Sequence, residues 1–538
     1  MKKTLSIFLI LLIFLSVSGC SEPVRTPETS AETEQTTTNQ KITETEEEKT
    51  EPVETQKYEL SEKGKRYYFA VDGDDINTGD SEEKPWKSLS KLEKITLNPG
   101  DRVLLHRGDT FNERLTVRGN GEADAWIYIG GYGEGAKPRI ALNNDKNDIA
   151  ILCDDNKTGL NYIWIDGLET ADSLLGIYFR YAESTDNRGV RVTNCRFDNI
   201  NCPELMKEAL SGVGFLGEKK ADLDGNGGAY EYIWPTAINI GGRPPLPLAS
   251  VTIKGVCSPA TVVSDITVED CEFYSTVVAV GANCYNYHYG TGDNQFREYT
   301  RNWRVRNLYS KNTMTMFNFD ACTFGYDGSE KSEYGIFENI ICDGGMENYS
   351  MSAGTTLALF SSCCDLYVKN SRFSGCKNNG YPDGCGFDFE RDDHNITLYN
   401  CVIDNNEGQG VLVMETVLYD QVSKTEQHTP STNCKIINCL FYNNMKNVYS
   451  ENYKYDVTVF NANNEYFTVS DNVFYYREYT GGAAHVKINK SNSKYSPVGT
   501  VKKGFVIENN EMILCKDESE LPDVNALISD KGIFIRRS

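Results

Sequence analysis

The stretch from Pro382 to Glu415 holds the residues best spaced for proton-transfer chemistry. Gly386-Phe387-Asp388-Phe389-Glu390 alternates apolar and acidic side chains, the period-two pattern of a β-strand with one buried and one wet face. On that pattern Phe387 and Phe389 point into a core. Asp388 and Glu390 then share the outer face, about 6.5–7 Å apart at the backbone. Two carboxylates held so rigidly suit general acid–base work on a glycosidic bond, or the holding of a metal ion. Their separation is closer to the roughly 6.5–9.5 Å of an inverting glycosidase than to the roughly 5–5.5 Å of a retaining one. Arg391, Asp392, Asp393 and His394 follow at once, and such crowding drives the pKa values of titratable groups apart.

A strand of this kind needs neighbours, and the chain supplies them at intervals. Comparable short strands read Ala237–Gly241, Val278–Gly281, Met316–Asp320, Leu357–Phe360 and Gly410–Glu415. Stacked in parallel about 4.8 Å apart, they would align Asn239, Asn318 and Asp388 in one outward column. Asp320 and Glu390 would align in the next, with Glu415 and Arg391 close by. This polar face is the expected substrate groove, and Asp320, Glu415 and Arg391 are expected to assist the Asp388–Glu390 pair.

About a dozen residues before each of these strands lies a second recurring unit: apolar, x, Asn or Asp, small or aliphatic, x, apolar. It includes Val192–Phe197, Val268–Phe273, Val368–Phe373, Leu398–Ile403 and Ile436–Phe441. Counted on Asp270, Asn307, Asn339, Asn370, Asn400, Asn438 and Asp471, the spacings are 37, 32, 31, 30, 38 and 33 residues. Periods of this size mean a solenoid, and strands with no amphipathic helices between them make it a β-solenoid. The recurring Asn is read as structural, a turn residue in the left-handed region or a ladder between coils. Cys195, Cys271, Cys401 and Cys439 follow it directly, which favours an internal cysteine stack over bridges. Cys363, Cys364, Cys376 and Cys385 lie close enough in sequence for a bridge or a metal site.

The N-terminal block begins with the strand Tyr67–Val71 and a turn rich in Asp, Gly and Asn. A helical spacing over Trp86–Leu97 follows, then Pro99-Gly100-Asp101 and the strand Asp101–Leu105. Through residue 142 it closely resembles the N-terminal cap of secreted right-handed parallel β-helix proteins of the pectate-lyase-like superfamily. That resemblance implies an all-β, right-handed, single-stranded parallel β-helix with a small cap, in a superfamily of carbohydrate-active proteins. Gly386-Phe387-Asp388 also resembles part of the DDG-aromatic-D calcium motif of one pectate lyase family. Here Gly384 and Cys385 replace its leading aspartates, and the catalytic lysine of that family has no clear counterpart. The NTD, GDD, GHG and RIK motifs of polygalacturonases are absent. What remains resembles the glycosidase-containing part of the superfamily.

Two long insertions interrupt the repeat, Asn199 to Pro235 and Tyr419 to Thr432. The first contains a helical piece from Pro203 to Leu210 and the run Asp222-Leu-Asp224-Gly-Asn226-Gly227, which matches the first half of an EF-hand loop. Asp222, Asp224 and Asn226 are therefore candidate calcium ligands, although Ile233 stands where the loop needs its final acid. Calcium is a possible ligand and not a required cofactor.

The chain opens with Lys2 and Lys3, an apolar run from Leu5 to Val17 and then Ser18-Gly19-Cys20. This is a secretory signal, and Val17–Cys20 resembles the bacterial lipobox, which makes Cys20 the expected lipidation site. Residues 21–62 are rich in Thr, Glu and Pro, and contribute −8 to a net charge of −23. They read as an extended spacer. The expected organisation is a signal (1–20), a linker (21–62), a cap with the first coils (63–142) and the β-helix (143–538). The acidic charge argues against nucleic acid as a partner.

The expectation is a monomeric protein exported to the bacterial cell surface, facing outward and bound to the membrane only through its lipid. It would degrade a polysaccharide or oligosaccharide as a glycoside hydrolase. A calcium-assisted polysaccharide lyase and a non-catalytic glycan-binding or adhesive surface protein remain the alternatives.

Overall fold

The structure is a computed structural model. It describes residues 58–145, 148–154, 159–181, 186–203, 221–222, 230–231, 235–242, 262–283, 299–320, 322–325, 334–347, 356–378, 384–414, 416–419, 426–447, 455–459, 465–477, 486–488 and 504–530. Cys20, Asp224, Asn226, Glu415 and most of Pro203–Leu210 lie outside this set.

Each coil is built around one turn. Asn194, Asp270, Asn307, Asn339, Asn370, Asn400, Asn438 and Asp471 all take φ between 50° and 58°. This left-handed conformation is costly for most L-residues but is tolerated by Asn and Asp. The same side chains bond from coil to coil. Asn307 Nδ2 donates to Asp270 Oδ1 (2.9 Å), Asn339 to Asn307 (2.6 Å), Asn400 to Asn370 (2.7 Å) and Asn438 to Asn400 (3.2 Å). Both readings of the repeated Asn therefore hold at one residue: it makes the turn and forms the ladder.

Among the described residues, the two flanks of a 23-stranded parallel sheet run on either side of this ladder, and a separate parallel sheet of 11 described strands closes the coil. The smaller sheet includes Ile149–Asp154, Leu175–Tyr181, Thr236–Gly242, Val278–Asn283, Thr315–Asp320, Ala358–Ser361, Phe387–Arg391, Val411–Val413 and Val457–Val459. The chain is thus a parallel β-helix with three faces per coil.

Alternate residues of all three faces fill a single core. Phe317, Phe319, Phe337, Phe360, Phe387 and Phe389 are fully buried there. Phe360 and Phe387 stack from one coil to the next, with ring centroids 4.8 Å apart and planes 18° apart. Cys195, Cys271, Cys401 and Cys439 are buried beside the Asn turns as free thiols. The thiol of Cys271 donates to the Glu269 carbonyl (3.2 Å), and that of Cys401 to the Tyr399 carbonyl (3.3 Å). Burial pushes both thiols well up. Cys363 and Cys364 are also free thiols, and Cys376 and Cys385 are buried. Among the described residues no cluster of His, Cys, Asp and Glu is arranged to hold a metal ion.

Three features of the ends differ from the sequence reading. The expected helix over Trp86–Leu97 is only a 3-10 turn, Leu89–Lys94, which buries Leu89 and Leu92. Trp86 instead bridges to Phe69 and donates from Nε1 to the Asn77 carbonyl (2.7 Å). Gly79 (φ +69°) is required beside it, because a Cβ there would lie 2.3 Å from the indole.

The folded part also begins earlier than residue 63. Tyr58 lies edge-on to Trp164, beneath the Arg191 guanidinium (3.6 Å from the ring centre), and donates to Glu269 Oε2 (3.0 Å). Composition alone had put Tyr58–Glu62 in the linker. At the other end the helix Val524–Asp530 lays Val524, Leu527 and Ile528 against Val402, Leu440, Val473, Tyr442 and Tyr475. It covers the apolar outer stripe of the last coils.

Candidate functional site

The strand Phe387–Arg391 lies inside the smaller sheet, fourth from its C-terminal edge among the described strands, between Ala358–Ser361 and Val411–Val413. Phe387 and Phe389 point inward as expected. The registers place Asn239, Gly281, Asn318, Leu359, Asp388 and Leu412 side by side on successive coils. The predicted column of Asn239, Asn318 and Asp388 is therefore present, with Gly281 and Leu359 interleaved.

The second predicted column does not form. The register shifts between Phe360 and Ser361, so that Ser361 pairs with Arg391 and not with Glu390. Asp320 pairs with Ser361 on the preceding coil. Glu390 is thus the extra residue of a bulge, a device that re-aims side chains and is common beside active sites. The side chains of Asp320 and Arg391, and the whole of Glu415, lie outside the described residues.

The two carboxylates also differ in exposure. Glu390 is partly exposed, whereas Asp388 is 0% exposed. The even, wet outer face expected from alternation is therefore corrected. Asp388 lies between Leu359 and the fully buried Leu412 in its column, in surroundings that restrain a carboxylate and keep water from it.

The titratable residues that follow build the turn. Asp392 takes φ 50°, and its Oδ1 meets His394 Nε2 at 2.9 Å. His394 Nδ1 lies 2.7 Å from Thr432 Oγ1. Asp393 is buried, with Oδ1 accepting from the Cys363 amide (2.8 Å) while its own amide donates to Ser431 Oγ (3.1 Å). These contacts tie three coils together, which accounts for the cluster without catalysis.

Three titratable residues, at two places in the fold, escaped the sequence reading. On the same sheet toward the N-terminus, buried Asp154 and Arg180 pair through two contacts, Oδ1 to Nε (3.2 Å) and Oδ2 to Nη2 (3.1 Å). Asp456 is buried at a corner of the coil, where its Oδ1 accepts from Asn444 Nδ2 (2.9 Å). Asn444 in turn accepts from Asn406 Nδ2 (3.0 Å). Burial pushes the Asp456 carboxyl up to about 7, only partly offset by the Asn444 hydrogen bond. The outward period-two position gave a signal for Asp154 and Arg180. None existed for Asp456.

The candidate calcium loop is described only at its base, where Asp222 pairs with Tyr230 in the antiparallel hairpin Ala221–Asp222 and Tyr230–Glu231. A second hairpin, Thr416–Tyr419 with Glu426–Thr429, springs from the coil that follows the candidate site.

No family model matches the chain. Over 195 residues it is 30% identical to a lacto-N-biosidase of Bifidobacterium longum subsp. longum, a match covering 30% of this chain and 12% of that protein. The chain thus spans only a small part of its curated relative. Among solved structures, a GH136 lacto-N-biosidase from Eubacterium ramulus superposes with a TM-score of 0.45 at 16% identity, covering 84% of this chain and 68% of that one. A pectate lyase superposes with a TM-score of 0.32 at 14% identity, covering 86% and 82%.

Proposed function

We propose that this chain is a glycoside hydrolase of the lacto-N-biosidase kind, cleaving its substrate on the outer face of the smaller sheet. The 30% identity to a lacto-N-biosidase over 195 residues carries the reading. The site's arrangement agrees with it. Glu390, partly exposed at a bulge, is the carboxylate a glycan can meet, and we assign it the acid–base role. Asp388, enclosed two residues earlier on the same strand, is assigned as the second member of the pair. Asp320, Arg391 and Glu415 are assigned to assist.

On this reading the protein is exported, lipidated at Cys20 and held at the cell surface, where its substrate is an oligosaccharide or polysaccharide. Calcium at Asp222, Asp224 and Asn226 has no step in the reaction.

The test is product analysis with purified residues 58–538. A chromogenic lacto-N-bioside and a panel of plant and host polysaccharides are the substrates. Release of chromophore or new reducing ends, without the absorbance of an unsaturated uronate, is the expected outcome. Unsaturated uronate that disappears with chelator would make the protein a lyase. Binding without either product would make it an adhesin.

A further inference from the structure

Glu390 owes its place to what holds the chain on either side of it. Before it, Ala358, Leu359 and Phe360 pair one for one with Phe387, Asp388 and Phe389. After it, Ser361 pairs with Arg391 and Cys364 with His394. The corner that follows repeats from coil to coil. Ser362 (φ 55°) and Asp392 (φ 50°) are both left-handed, as are Asp365 (φ 60°) and Asn395 (φ 56°). The extra residue is therefore confined to the single step between Phe389 and Arg391. On the far side the strand Val411–Val413 ends opposite Phe389, so its described pairing gives Glu390 no register.

Two anchors bound this step. Phe389, at 0% exposure, is fixed in the core. The other anchor is Asp393, also at 0%. Its Oδ1 accepts from the Cys363 amide at 2.8 Å, a place where an undisturbed parallel ladder uses a backbone carbonyl. Across the same gap the His394 amide donates to the Cys363 carbonyl (2.9 Å). The corner column changes character at this coil. On the preceding coil the Cys363 thiol donates, to the Ser361 and Phe319 carbonyls (3.3 and 3.6 Å). The Asp393 carboxylate accepts instead, and such a buried bond is strong and costly to leave unmade. Ser431 Oγ on the following coil accepts in turn from the Asp393 amide (3.1 Å).

We propose that Asp393 is a positioning residue for the reaction: its carboxylate pins the corner, so that the extra residue is held at Glu390 and that side chain is aimed at the glycan. The assignment rests on the hydrolase reading for its purpose, but the pin itself is separately measurable.

The experiment compares wild type, Asp393→Asn and Asp393→Ala in two readouts, with circular dichroism giving the folded fraction. One readout is kcat and KM on a glycan that wild type cleaves. The other is the rate at which N-ethylmaleimide labels residue 390 in a Glu390→Cys background, read by mass on the peptide that carries it. Asp393→Asn keeps an oxygen for the Cys363 amide and should stay within about threefold of wild type in both. Asp393→Ala leaves that amide without its acceptor. It should lower kcat at least about tenfold with KM little changed, and raise the labelling rate at least about fivefold. Ser431→Ala loosens Asp393 from the following coil and should move both readouts the same way by about threefold. It supplies the test if Asp393→Ala does not fold. A merely structural role would lower the folded fraction and leave kcat per folded molecule unchanged, which overturns the proposal. Equal losses in Asp393→Asn and Asp393→Ala, or a labelling rate that no variant changes, also overturn it. Labelling that responds as expected in a protein that cleaves no glycan upholds the pin and overturns the hydrolase reading.

Discussion

Asp456 should make the fold pH-sensitive, and the magnitude follows from its surroundings. Its carboxyl is buried, with Asn444 Nδ2 as its hydrogen-bond donor at 2.9 Å. Burial raises it from the ordinary 3.8 to about 7. Between those values the folded chain keeps a proton that the unfolded chain has lost. Stability therefore falls as pH rises through this window, and the loss is complete above about pH 7. A difference of that size corresponds to at most about 4 kcal/mol, and relaxation around the site will reduce it. Asp456→Asn keeps an oxygen to accept from Asn444 and removes the charge. The variant should lose little stability between pH 5 and about 8, and should exceed wild type at the upper end. A solenoid does not guarantee all-or-none unfolding, so the assay is amide hydrogen exchange over Asn444–Val459, with denaturant midpoints beside it and thiols kept reduced. Equal pH dependence in wild type and variant would refute the argument.

Other substitutions separate the scaffold from the chemistry. Phe389→Ala should cost about 3–5 kcal/mol, read as a lower denaturation midpoint and a lower folded yield. A loss under about 1 kcal/mol would mean that the aromatic stack is loosely packed. Asn400→Ala loses both the ladder bonds and tolerance for the left-handed turn, and should destabilise by about 1–3 kcal/mol. Asn400→Gly loses only the ladder and should cost less than half as much. Equal costs would assign the residue to one role alone.

How much of this was legible in the sequence depended on the range of the forces involved. The Asn turns could be read because conformation and period act on the same residue, so spacing and residue type agreed at Asn307, Asn339 and Asn400. The inward placement of Phe387 and Phe389 followed from local alternation. The shift that isolates Glu390 did not, because it arises from pairing with Ser361 on another coil. The enclosure of Asp388 likewise depends on residues distant in sequence. Tyr58 was missed because it ends a Glu- and Thr-rich segment, and its partners Trp164, Arg191 and Glu269 lie more than 100 residues away. Asp456 reads as an ordinary turn aspartate until Asn406 and Asn444 close over it. The helix Val524–Asp530, seven residues long, is too short to show a period.

The central claim is that the carboxylates of Phe387–Arg391 carry out hydrolysis of a glycan. The most direct measurement is the turnover of a chromogenic lacto-N-bioside, or of whichever glycan proves to be the substrate, by wild type, Glu390→Gln and Asp388→Asn at matched folded concentration. Each change keeps the shape of the side chain and removes its charge. General acid–base assistance contributes roughly 10²–10⁴-fold, so both variants are predicted to fall at least about a hundredfold in kcat while still binding lacto-N-biose. Wild-type turnover by both carboxamide variants would contradict the account.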